Sequence, residues 1–226
     1  MSDGDSHPEN EPRPGPVSRA SRTLGRYVNH ESVFVRAGSF WLFCAVLFTI
    51  AWVGSYLFLP EGLLRGTSAA YFAPIETDRA GSTFIRILAW NLVFATLVVL
   101  ANTFRSVNTP MGYLVVVVTT VQGALVWGTG SLALAAGRIE PSLSTVVGRS
   151  GVFELSAYVL IAVATRGVLL WHQRSPPRWR EDFERVGSVR EWRLSRNEWL
   201  VLFAGLGLLA AANYREAVQI VALVLG

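Results

Sequence analysis

The chain has 226 residues, of which 51% are hydrophobic and only 16% charged, with a net charge of +4. A soluble domain carries nearer a quarter charged residues, and the apolar residues here fall in blocks close to the ~20 needed to cross a bilayer. That combination argues against a soluble enzyme and for an all-α fold: a polytopic transmembrane helical bundle.

All 20 basic residues are arginine. They cluster beside the apolar blocks and give a pI of about 9.7, which points to anionic membrane lipid as a partner. Nucleic acid is not expected, because no basic face exists apart from the membrane. Without lysine there is no Gly-x-x-x-x-Gly-Lys loop, so the chain itself is not expected to hydrolyse ATP. Cys44 is the single cysteine, which excludes an internal disulfide or a cysteine metal cluster. His7, His30 and His172 lie far apart without ligand spacing, so neither a metal nor another cofactor is expected.

In chain order, residues 1–20 are polar and proline-rich and are expected to be disordered. A basic juxtamembrane segment, 21–38, precedes the transmembrane domain, 39–226. The first span lacks a small-x-small cleavage site and, at about 21 residues, is longer than the apolar region of a secretory signal. About five spans are expected. The first is 39–59, closed by Pro60. The second is 83–103, and the third is 111–133, opening after Pro110. The fourth is 151–171. The fifth is 198–213, with a short apolar tail at 217–225 that reads as a bent continuation or a half-helix.

Arginine counts set the orientation. The tail before the first span, the loop after the second and the loop after the fourth hold 13 arginines, against five on the opposite side. The positive-inside rule therefore predicts a multi-pass protein of the cell membrane with a cytoplasmic N-terminus. Trp171, Trp179, Trp192 and Trp199 gather in or beside the arginine-rich fourth loop, as an aromatic belt would. Within that loop Trp179, Phe183 and Val186 fall on one helical face, which predicts an amphipathic interfacial helix; a solvated connector is the alternative.

Polar residues inside spans are expensive and need an explanation. Arg86 and Glu154 both sit in the first turn of a span, at similar depth, so an Arg86–Glu154 ion pair is expected; separate snorkelling is the alternative. Asn91 and Gln122 lie deeper, where amides act as interhelical glue or line a transport path. Ala124-x-x-x-Gly128 permits close helix contact. Gly148-Arg149-Ser150-Gly151 matches the Gly-x-Ser-Gly of intramembrane serine proteases, but such an enzyme needs a histidine on another helix. His172 lies at the far end of the same span, ~33 Å away at 1.5 Å per residue. No catalytic residue is assigned, and Ser150 is expected to cap the fourth span.

The pattern over about 82–219 resembles the stage II sporulation protein M family of integral membrane proteins. The residues carrying the resemblance are Asn91 in "ILAWNLVFATLVVL", Gln122-Gly123 with Gly128 in "TTVQGALVWGTG", Ser150-Gly151-Val152-Phe153-Glu154, and Glu216 in "LLAAANYREAV". The family has His-Gly-x-x-Glu where this chain has Ser150, Gly151 and Glu154, and an Asn-Gly pair at the Gln122-Gly123 position. The resemblance implies a non-catalytic membrane protein acting as a scaffold or subunit of a membrane complex, with membrane or envelope protein partners. A permease or transporter subunit working with a separate ATPase is the alternative, and homo-oligomerisation is left open.

Overall fold

The computed structural model describes residues 23–67, 79–132, 138–174 and 183–225. The expected disordered tail, 1–20, lies outside them. The described helices are α1 (23–28), α2 (Val33–Phe58), α3 (Ala80–Ala101), α4 (Met111–Gly128), the short α5 (Leu143–Gly148), α6 (Gly151–Ala164) and α7 (Arg196–Leu225). Four of these, α2, α3, α4 and α7, are long and apolar enough to cross a membrane. The chain is a mostly helical bundle compatible with a multi-pass membrane protein.

Two helices depart from expectation. The fourth predicted span stops early: α6 has 14 residues, about 21 Å at 1.5 Å per residue, against a hydrocarbon core of about 30 Å. Thr165, Arg166 and Gly167 then leave helical geometry. Conversely, the fifth span and its tail form one continuous helix, α7, of 30 residues. Tyr214-Arg215-Glu216 does not interrupt it, because none of the three breaks helical backbone.

The early end of α6 is tolerable because protein rather than lipid surrounds it. Ala157, Val159, Ile161, Ala162, Val163 and Ala164 are buried, and Thr165 and Val168 beyond the helix are buried too. Non-helical backbone at membrane depth survives only under such cover. Its terminal carbonyls are satisfied from neighbouring elements. Asn102 donates Nδ2 to Ala162 O at 2.8 Å and to Thr165 Oγ1 at 2.9 Å, and Arg36 donates to Val163 O at 3.4 Å.

Close helix contacts use small residues. A methyl group on Gly128 would meet Ser55 Oγ and, at 2.7 Å, Trp52 O, so α2 and α4 pack backbone to backbone there. This realises the contact expected of Ala124-x-x-x-Gly128 within the chain. Gly205 plays the same part between α7 and α6, with Ala157 O at 3.2 Å from an added methyl. The larger core centres on Phe40, Val98, Tyr113, Val116, Ile161 and Leu209; a second one holds Phe48, Trp52 and Trp127 in mutual edge-to-face contact.

A small sheet caps one end of the bundle, which corrects the all-α expectation. Strands β1 (Phe104–Ser106), β2 (Thr109–Pro110), β3 (Trp171–Gln173) and β4 (Glu184–Arg185) run in the order β2-β1-β3-β4. β1 and β2 form a hairpin, β3 lies parallel to β1, and β4 is antiparallel to β3. Val107, in the hairpin turn, has φ 54°, a costly setting for a β-branched residue. Bonds from Val107 N to Gln173 O (2.7 Å) and between His172 Nε2 and Val107 O (2.8 Å) hold it there.

β4 also corrects the expected interfacial helix. Phe183 packs edge-on against Phe104, which stacks on Trp171, while Val186 N donates to Leu170 O in sheet fashion. The apolar residues read as a helical face serve the sheet instead. Trp179 lies outside the described residues.

Candidate functional site: a carboxyl and amide seam

α7 carries Asn213 and Glu216 three residues apart, a spacing that places both on one helical face. Asn213 faces α3, where Asn91 donates Nδ2 to Asn213 Oδ1 at 2.7 Å. Glu216 faces α6, where its carboxyl group lies next to that of Glu154. One turn along α6, Tyr158 is buried against Phe94 of α3 with ring centroids 4.7 Å apart, and its hydroxyl is within electrostatic reach of both carboxyl groups. Asn91, Asn213, Glu216, Glu154 and Tyr158 thus form one polar seam between three helices.

A hydrogen bond between two carboxyl groups requires a proton on one of them. Glu154 Oε1 is buried and receives no N–H or hydroxyl donor among the described residues, so the two neighbouring carboxyl groups can satisfy each other only by sharing a proton. Arg215 does not neutralise the pair. It donates Nη2 to Val147 O at 2.6 Å and its guanidinium sits 5.5 Å from the Phe153 ring centre. Gln219 donates to Gly148 O at 2.9 Å, so the far end of α7 latches the last carbonyls of α5.

The expected Arg86–Glu154 ion pair is absent among the described residues. Arg86 is exposed on α3, and Glu154 lies next to Glu216 instead. Gln122 is likewise exposed, on α4. Gly123 has only Phe48 near it, 3.9 Å from an added methyl. Gly151 abuts Trp127, whose Cζ2 would lie 2.9 Å from an added methyl. Ser150 is the residue before α6, but its side chain makes no cap; its carbonyl accepts from Phe153 N and Glu154 N. The capping serine here is Ser142, which accepts from Thr145 N at 3.2 Å.

Three positions singled out in the sequence, Asn91, Glu154 and Glu216, therefore meet, while Arg86, Gln122, Gly123, Gly128 and Ser150 stand elsewhere. Asn213 and Tyr158 complete the seam and were not anticipated. The signal for Asn213 was the apolar run after residue 216, which moves it from the end of a span to the middle of a 30-residue helix.

Chemically, the seam ties α3 to α7 through Asn91 and Asn213 and sets two carboxyl groups side by side between α6 and α7. A cavity of about 110 Å³ lies elsewhere, between Trp41, Cys44, Phe48, Trp52, Val152 and Leu155, and is almost wholly apolar. Compared with known proteins, the chain matches no family model, no curated protein and no solved structure.

Proposed function

We propose that this is a non-catalytic multi-pass membrane protein, a scaffold or subunit of a membrane complex of the kind implied by the resemblance to stage II sporulation protein M. In this reading it sits in the cell membrane with a cytoplasmic N-terminus, and its sheet end faces the cytoplasm. The observation carrying the reading is that polar groups inside the bundle meet helix to helix: Asn91 is bonded to Asn213 and Asn102 to the end of α6, and Glu154 lies next to Glu216. Side chains used in this way hold a bundle together. Arg86 and Gln122, which a transport path would share with Asn91 and Glu154, are exposed.

Thiol accessibility tests it. In a Cys44→Ala background, cysteines at positions 91 and 154 should be protected from a membrane-impermeant maleimide in intact membranes. Labelling at both would overturn the scaffold reading. Membrane or envelope proteins captured stoichiometrically with the full chain would then identify its partners.

One observation favours a second reading, a permease or transporter subunit working with a separate ATPase. Two carboxyl groups side by side inside a membrane bundle, Glu154 and Glu216, are the material of a proton relay. That reading requires water to reach position 154, so the same labelling distinguishes it.

A further inference from the structure

At the sheet end, four elements bring charged groups around the Tyr113 phenol. Arg36 comes from the first turn of α2, Arg105 from β1, Arg166 from just beyond α6 and Glu198 from the first turn of α7, and each is within electrostatic reach of Tyr113. Arg36 is 4% exposed and Tyr113 2%. Three guanidinium groups face one carboxylate. Glu198 pairs with Arg36 at 2.9 Å, and its other oxygen accepts from Ser195 N and Oγ. Neither Arg105 nor Arg166 has an acidic partner among the described residues; they bond to backbone carbonyls, Arg105 to Arg166 O at 3.1 Å and Arg166 to Asn29 O at 3.1 Å.

This leaves an excess of two positive charges on two half-buried arginines beside a buried phenol, an arrangement that favours a counter-charge. The N-termini of α2, α4 and α7 meet the C-termini of α3 and α6 here, so the helix dipoles largely offset one another and leave the arginine charge as the excess. Arg105, on the sheet and outside the helices, is already held below its ordinary basicity, chiefly by desolvation. The Tyr113 hydroxyl and the Nε atoms of Arg36, Arg105 and Arg166 are all buried without a hydrogen-bond partner among the described residues.

We propose that this corner is a binding site for a phosphate-class oxyanion, held by Arg105, Arg166 and the Tyr113 hydroxyl, with Arg36 contributing charge. Guanidinium groups suit phosphate because they donate in a planar fork. Two sources offer that chemistry, a phosphodiester lipid headgroup and free phosphate. Trp171, Trp192 and Trp199 stand at the same end and favour the membrane–water boundary, where headgroups lie. The site does not depend on the scaffold or the permease reading.

Native mass spectrometry of the full chain from detergent tests the site. One arm adds phosphatidylglycerol, with phosphatidylcholine as its control. The second adds inorganic phosphate and reads thermal stability. Tyr113→Phe removes the hydroxyl but keeps the ring stacked on Phe40, 4.4 Å between centroids. Arg105→Gln removes one charge at a half-buried position, and Arg190→Gln, at an exposed one, is the control for non-specific attraction.

The expected result is one retained phosphatidylglycerol per chain. Tyr113→Phe and Arg105→Gln should each weaken it about tenfold, as for loss of one charge-assisted bond, and Arg190→Gln should leave it unchanged. Stabilisation by inorganic phosphate alone, lost in the same two variants, also supports the site and assigns it a soluble anion. Equal retention in all variants, or no response in either arm, overturns the proposal.

Discussion

Replacing Glu154 in two ways tests the carboxyl pair. Glu154→Gln keeps a donor and should cost little, because the amide N–H takes the place of the shared proton toward Glu216. Glu154→Ala leaves a buried carboxyl group without its partner and should cost about 1–3 kcal/mol, read by reversible unfolding in mixed micelles. The pair Glu154→Ala and Glu216→Ala should show a coupling of about 0.5–3 kcal/mol, whereas Glu154→Ala and Arg86→Gln should add within about 0.5 kcal/mol. The reverse pattern would restore the ion pair suggested by depth alone. Depth was legible in the sequence; direction around the helix was not. Arg86 and Asn91 are five residues apart, which at 3.6 residues per turn separates them by about 140°. With Asn91 turned to α7, Arg86 faces elsewhere.

At the scale of elements, the four long helices were readable because each holds an 18-residue stretch of high mean hydropathy with at most two charged residues, which leaves few alternatives. The short one was not. The run from 151 to 171 is apolar enough for a full span, yet α6 ends at Ala164 because its last carbonyls find better partners in other elements. Asn102 is one of these, fully buried with both bonds directed at α6. Asn102→Leu should therefore destabilise the bundle by about 1–3 kcal/mol, the cost of a buried carbonyl without a donor. Thr96→Val, on the exposed face of α3 and bonded only to Leu92 O of its own helix, should change it little. Equal effects would show that Asn102 is not what ends α6. The sheet was invisible for the opposite reason. Its strands are two or three residues long, and the central pair comes from segments 67 residues apart, so no local alternation marks them.

For the whole molecule, the sheet constrains how often the chain changes sides. β1 follows α3 directly, and β3 lies parallel to it in register, with Phe104 opposite Trp171. The residues after α6 are thus brought back to the end of the bundle at which α3 finishes. In the membrane reading proposed above, α6 and the irregular stretch behind it act together as one crossing, even though α6 alone is too short. That reading gives five changes of side, four by long helices and one by a short helix sheltered inside them, and the arginine bias, 13 against five, predicts which side is which. Reporter fusions at Asn108 and Ser188 should both read cytoplasmic, and fusions at Gly62 and Glu140 should read external. If Asn108 and Ser188 fell on opposite sides, the β1–β3 pairing would be impossible in the membrane. If all four reversed together, the pairing would stand and the arginine rule would be the part that failed.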